Sequence, residues 1–294
     1  MSDITKFEFA LQEPALSIAP VFLTLSKKKD RRNFIVSREF NGAEITWHGP
    51  ASLGVAEQSL FLTLLSIANQ QNLWLSGNPE PKSIGEKLLP KMAIKTEAEG
   101  INLRVLKISK RRLVSALGYT SMGGNNPALV EASFQRLELT TIVDKRDGET
   151  TETHLLARVV GADDEVTVAL NHRATNALNG GQFVKISLSE RRILRDDRSK
   201  CLHAWLSGSL RLGTSRIYKI DSLQRPIWGN EEDGSALRQR RSRLRNALEN
   251  IDALKTWQCN FIAPSRVEIC RPPSRLARPI CGLSVTNCGI ISND

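Results

Sequence analysis

The stretch Ser235–Leu254, SALRQRRSRLRNALENIDAL, constrains this chain more than any other. Leu237, Leu244, Leu248 and Ile251 recur at helical spacing and draw one apolar stripe, which a neighbouring layer must cover. Between them stand Arg238, Arg240, Arg241, Arg243 and Arg245. At about 100° per residue, Gln239, Ser242 and Asn246 point opposite the stripe, with Arg238, Arg243 and Arg245 on its flanks. Arg240 and Arg241 lie nearer the core edge, within sideways reach of phosphates. Such a helix suits a DNA major groove, where Arg pairs two-pronged with guanine and Gln or Asn with adenine. A solvated basic face would show the same pattern, so the flanking elements have to decide.

The chain has 294 residues, enough for two domains with real cores. Its 41 Lys and Arg against 31 Asp and Glu give a net charge of +10. That balance favours a polyanionic partner without separating nucleic acid from anionic lipid. No apolar run approaches the roughly 20 residues that span a bilayer, and MSDITKFEF lacks the layout of a secretory signal. A cytoplasmic protein with no membrane partner is expected. Cys201, Cys259, Cys270, Cys281 and Cys288 form no Cys-x-x-Cys pair, which argues against a disulfide framework or a zinc ribbon.

Taken in order, residues 1–33 read as a flexible basic arm. Pro14 and Pro20 interrupt short apolar pieces, and the basic run at 27–32 is either solvated linker or a grip on phosphates. Phe34–Arg38 and Glu44–His48 alternate around Asn41-Gly42, a hairpin signal. Ser52 can cap a helix over Leu53–Gln71, and residues 76–100 read as a loop. Ile101–Ile108 alternates as a strand, Ser109 caps a short helix at Lys110–Leu117, and Asn126-Pro127 opens a helix that runs through Glu138. Thr140–Asp144 and His154–Val160 then predict a wing-like hairpin around Arg146-Asp147-Gly148, with Val166–Leu170 a further strand.

The second half repeats this order. Asn171–Leu178 is a linking helix, Gln182–Leu188 a strand, Ser189–Leu194 a helical turn and Arg198–Leu210 a buried helix. Ile217–Ile220 is a strand, Asp221 caps a short helix reaching Trp228, the arginine helix follows, and Thr256–Ile262 with Arg266–Arg271 forms a hairpin. Leu106-Lys107-Ile108-Ser109 answers Tyr218-Lys219-Ile220-Asp221, and Gly118 answers Gly229. The expected fold class is α+β, as tandem winged helix-turn-helix domains. The expected boundaries are 34–170 for the first domain, 171–273 for the second with its recognition helix at 235–254, and 274–294 for a flexible tail.

One family carries these residues. The segment Gln182-Phe-Val-Lys-Ile-Ser-Leu-Ser-Glu-Arg, then Leu202-His-Ala-Trp-Leu-Ser-Gly, Ile220-Asp-Ser-Leu and Trp228, resembles the replication initiator protein C of IncQ-type broad-host-range plasmids. The most specific match is Leu237-Arg-Gln-Arg-Arg-Ser-Arg-Leu-Arg-Asn-Ala-Leu, with Leu254 and Trp257 beyond it. The resemblance is strongest over 171–262, extends over 43–170, and is absent from the first thirty or so residues and after about 275. It implies two winged-helix domains, binding of directly repeated origin sequences (iterons) in double-stranded plasmid DNA, opening of adjacent AT-rich DNA, and loading of a plasmid-encoded helicase and primase. It also implies a DNA-contact role for Arg238, Arg240, Arg241, Arg243 and Arg245.

Catalytic signatures are missing. No Gly-x-x-x-x-Gly-Lys-Ser/Thr string exists to cradle phosphates, no Gly-x-Ser-x-Gly elbow is present, and His48, His154, His172 and His203 are scattered. A binding protein with no cofactor is expected, not an enzyme. For the second domain, Arg238, Gln239, Ser242, Arg243 and Asn246 are expected near bases and Arg240, Arg241 and Arg245 near phosphates. For the first, Asn126, Glu131 and Gln135 are expected at the DNA, with Arg111 and Arg112 from the preceding helix and Lys145 and Arg146 at the wing tip. Self-association is left open. Two rivals share the composition: a tandem winged-helix transcription regulator that never opens DNA, and a protein whose arginine helix docks on acidic protein surfaces.

Overall fold

The computed structural model describes residues 8–25, 31–94, 102–119, 123–161 and 163–273. Its N-terminal segment departs from expectation. Strand β1 (Phe9–Gln12) pairs antiparallel with Val184–Ser187, far down the chain. Helix α1 (Pro14–Ile18) follows, capped by the Glu13 carboxylate, which accepts from the amides of Ala15 (3.0 Å) and Leu16 (2.8 Å). Strand β2 (Phe22–Leu23) pairs in parallel with Leu53–Gly54. Residues 8–25 are therefore no flexible arm. Pro14 opens a helix, where its missing N–H is no loss, and Ala10, Ala15, Leu16, Val21 and Phe22 enter the main core. Of the basic run, residues 27–30 lie outside the described residues, as does the tail expected at 274–294.

Strands β3 (Phe34–Phe40) and β4 (Ala43–Gly49) make the expected hairpin, with Asn41 (φ 50°) and Gly42 (φ 75°) in the left-handed turn conformation that two-residue hairpins favour. After β5 (Leu53–Gly54) comes α2 (Val55–Gln71), the buried pillar of the first body. It starts later than the expected Ser52 cap, because Glu57 reaches back to accept from the Gly54 amide at 2.6 Å. Leu60, Phe61, Leu62, Leu64, Leu65 and Ile67 are all buried, so α2 is covered on every side. Strand β6 (Leu73–Leu75) precedes residues 76–100, the stretch expected to be a loop, in which a short helix, α3 (Ile84–Leu88), forms. Then come β7 (Leu103–Ser109), α4 (Lys110–Ala116), capped by Ser109 as expected, and α5 (Asn126–Glu138), which lays Val130, Phe134 and Leu137 on the core.

The wing of this body is tighter than expected. Strands β8 (Thr141–Arg146) and β9 (Glu149–His154) turn on only Asp147 (φ 52°) and Gly148 (φ 86°). The strand expected over His154–Val160 breaks at Leu155, whose amide donates to the Thr140 carbonyl at 2.7 Å while its own carbonyl accepts from Asn171 Nδ2 at 2.8 Å. Past the break, β10 (Leu156–Val160) joins β11 (Glu165–Leu170) in a separate sheet ordered β10-β11-β7-β6, and the wing joins β4 in the order β3-β4-β8-β9.

Helix α6 (His172–Leu178), strand β12 (Val184–Ser187) and helix α7 (Leu188–Ile193) were expected to open the second domain. Instead Ala174, Leu178, Val184, Ile186 and Leu188 complete the first core, because β12 is the partner of β1. The second core begins at Leu194. Around it lie α8 (Asp197–Ser209), β13 (Thr214–Lys219), α9 (Gln224–Trp228), α10 (Gly234–Asp252), β14 (Gln258–Ala263) and β15 (Arg266–Arg271). The sheet order β13-β15-β14 puts the strand before the helices beside the terminal hairpin. In the first body β7 does not pair with the wing, so the two halves share an element order but not a sheet. The class is mixed α and β.

The two bodies are stitched together. The buried Arg191 guanidinium of α7 donates to Gln58 Oε1 (3.0 Å) and Ser59 Oγ (3.2 Å) on α2 and to the Lys200 carbonyl (2.5 Å) on α8. With no carboxylate bonded to it, burial pushes its pKa down to about 10. The Thr24 amide donates to the Ile227 carbonyl at 2.8 Å, and the Cys201 thiol, buried and pushed up to about 12, donates to the Phe22 carbonyl at 3.2 Å.

Candidate nucleic-acid interface

Helix α10 seats Leu244, Ala247, Leu248 and Ile251 in the second core, with Leu237 half-buried. The stripe places the expected outward set in solvent: Arg238, Gln239, Ser242, Arg243 and Asn246 are all exposed. The other three arginines are braces. Arg240 donates to the Asn230 carbonyl (3.0 Å), Gln224 Oε1 (3.3 Å) and Glu232 Oε1 (3.3 Å) and lies over the Trp228 ring at 4.8 Å. Arg241 forks onto both Asp221 oxygens (2.7 and 2.6 Å), and that hydrogen bonding holds the Asp221 carboxyl below its usual range. Arg245 donates to the Pro264 carbonyl and lies over the Phe261 ring at 5.2 Å, tying α10 to the hairpin. These three, expected at phosphates, tie the helix to α9, the turn ahead of it, the loop after it and the hairpin.

The first body presents a different face. The carboxylate of Glu131, expected near bases, is committed to Arg158, which reaches across from β10, lies over Phe134 at 4.5 Å and also binds Glu138 at 3.1 Å. The Arg158 hydrogen bond holds the Glu131 carboxyl below its usual range, so this residue is an anchored anion. Gln135 stays exposed at 3.5 Å from Glu131, and Arg111 and Arg112 are exposed on α4. Asn126 and Arg112 have contacts of their own, and Asn125, not Asn126, takes the cap position of α5. Lys145 and Arg146 flank the wing turn, but Glu39, Glu44, Asp147 and Glu149 surround them, with Lys145 Nζ 4.0 Å from Glu44. On α10, Arg238 and Arg243 are exposed with no carboxylate partner among the described residues.

Sequence reasoning gave no site role to Arg195 and Arg198, which fold up with Arg32, the end of the basic run, beside Arg243 along an open groove between the bodies. No periodicity could have found them, because they come from segments brought together only by the β1–β12 pairing and the stitches around it. Among the described residues, no group of three or more His, Cys, Asp or Glu is placed to hold a metal ion, and no helix is long and apolar enough to cross a membrane.

The architecture is mixed α/β, in two joined bodies, the second carrying an exposed arginine face on its longest helix. The family model for replication protein C (RepC) matches residues 5–273, and the chain belongs to that family. This meets the expectation drawn from the arginine helix and places the protein in DNA replication initiation. The match reaches into the first thirty residues, where no resemblance was evident, in keeping with the docking of β1, α1 and β2. In fold, the chain is similar to two crystal structures of domains 2 and 3 of RctB. One aligns with TM-score 0.52 at 9% identity, covering 88% of this chain and 97% of that one. The other aligns with TM-score 0.50 at 10% identity, covering 87% and 95%. No curated protein sequence matches the chain.

Proposed function

We propose that the chain is a plasmid replication initiator that binds iterons in duplex DNA through two winged helix-turn-helix bodies. In this reading α10 is the recognition helix of the second body and α5 that of the first. α10 is the last of the three helices of its body and α5 the last helix ahead of its wing, and each is followed by a hairpin that serves as the wing. Binding opens the adjacent AT-rich DNA and lets a helicase and a primase load. The observation that carries the reading is the division of labour on α10: five polar side chains stand free on the outer face, while three arginines hold the helix rigid beneath them. Rigid placement is what base reading needs, since a bidentate contact discriminates only when its fork is held in register.

The test is Arg243→Ala on a duplex carrying the repeats, with permanganate probing beside them. Base reading predicts a loss of about 1–3 kcal/mol together with relaxed sequence preference, and reactive thymines next to the repeats only with the wild type at matched concentration. A uniform loss on all sequences would reassign Arg243 to phosphates. Tight repeat binding that never produces reactive thymines would favour a regulator that does not open DNA.

A further inference from the structure

An open groove of 880 Å³ lies between the two bodies, running from the segment after β2 to the flank of α10. Six arginines line it against three carboxylates. Half of the arginines are engaged: Arg31 with the Ser52 carbonyl and Glu57, Arg198 with Asp196, and Arg240 with Asn230 and Glu232. The other half, Arg32, Arg195 and Arg243, are exposed and have no hydrogen bond or ion pair among the described residues. Two of the three carboxylates are held in turn. Asp196 binds Arg198 and caps the Ser199 amide at 3.1 Å, and Glu232 binds Arg240. Asp197 remains, in the first turn of α8, where a carboxylate complements the helix dipole.

The free charge of the groove is therefore three guanidinium groups from three separate segments, each on fixed backbone. The Arg32 carbonyl accepts from both the amide and the hydroxyl of Ser52 at 2.8 Å, Arg195 adjoins the Asp196 cap, and Arg243 rides on α10. Guanidinium forks match phosphate oxygens and are weakly hydrated, so a row of them on rigid supports suits successive phosphates better than a single small anion. Arg243 belongs both to the groove and to the outer face of α10, so a duplex seated on that face carries one strand toward the groove. Single-stranded DNA is the weaker occupant. Its usual platform is an open aromatic face, and the aromatic ring here, Trp228, is covered by Arg240 at 4.8 Å.

We propose that Arg32 and Arg195 clamp the sugar–phosphate backbone of duplex DNA in this groove, beside Arg243 on the reading face, where the strand passes from one body to the other. The clamp rests on the duplex-binding reading above and adds to it a sequence-independent grip distinct from the face that reads bases. Its test is a salt titration of the full chain with Arg32→Ala and Arg195→Ala combined, on a repeat-bearing duplex, a scrambled duplex and a single strand of the repeat sequence. Loss of two phosphate contacts lowers the magnitude of the log–log salt slope by about 1.8, at about 0.9 per contact on B-DNA, on both duplexes alike. The ratio of repeat to scrambled affinity stays the same. The Arg32→Lys and Arg195→Lys pair, which keeps the charge, retains most of the slope. An unchanged slope in the alanine variant, or a loss confined to the single strand, overturns the clamp. A wild type that shows no preference for the repeats sinks the iteron reading instead, and the slope on scrambled duplex then still decides the groove.

Discussion

Glu57 shows how a single buried side chain sets the geometry of the first body. Its carboxylate accepts from the Gly54 amide (2.6 Å), Arg31 (2.9 Å), Arg136 (2.7 Å) and the Ser133 hydroxyl (2.9 Å), joining α2 to α5 and to the segment ahead of β3. Burial pushes this carboxyl up, but the Arg31 charge and the hydrogen bonds from Arg31, Gly54 and Arg136 outweigh it and hold the group below the usual glutamate range. Because the folded pKa is depressed, the stabilisation is fully present above the ordinary glutamate range and is lost as pH falls through the lowered value. Glu57→Gln leaves two arginines without their anion and is expected to cost about 3 kcal/mol at neutral pH, the low end for a broken buried pair since both arginines are partly exposed. Denaturant melts across pH check this. The gap between wild type and variant should be widest near neutrality and close in acid, and a pH-independent gap would show that packing, not charge, is the cause. The tie from Glu131 to Arg158 could not be read in the sequence because Arg158 lies well along the chain on β10, while on α10 the outward polar set was legible because helical periodicity is local.

At the scale of elements, the close approach of α8 to α1 is the contact that turns the N-terminal segment from an arm into a layer. A Cβ added at Gly208 of α8 would stand 2.8 Å from Ser17 Cβ and 3.0 Å from Ile18 Cγ2, so the two helices touch where only a glycine fits. Gly208→Ala therefore sets two effects against each other: a gain of about 1 kcal/mol in helix propensity and an overpacking cost of about 1–3 kcal/mol. The clash is with the first carbons of α1 and not with a flexible tip, so a net loss of about 1 kcal/mol is expected. Thermal melting combined with limited proteolysis would read it, with earlier cleavage near residues 8–25. A stabilised variant would mean that α1 yields easily and is not a fixed layer. The β3–β4 hairpin, the Ser109 cap and the stripe of α10 could be predicted because each is encoded within a few residues. The pairing of β1 with β12 and the split at Leu155 could not, since β1 meets a strand far along the chain and the break depends on Asn171.

The described residues build two main cores and a smaller third, and an N-terminal segment that belongs to the first main core reaches the second. β1 completes a strand pair with β12, the Thr24 amide bonds the Ile227 carbonyl beside α9, and Arg191 ties α7 to α2 and α8. Such stitching ties the bodies at several points, which favours a reader whose two recognition helices keep a fixed spacing along DNA. It also moved the expected domain boundary, because α6 and β12 supply the first core while continuing the chain into the second. Methylation interference with the full chain on a single repeat measures this directly. Two helices held at fixed spacing predict two clusters of interfering guanine N7 positions on one face of the duplex, roughly one helical turn of about 10.5 bp apart. The cluster under α10 should be lost in Arg243→Ala while the other persists. One cluster only, two clusters on opposite faces, or a pattern that Arg243→Ala leaves intact would contradict the account.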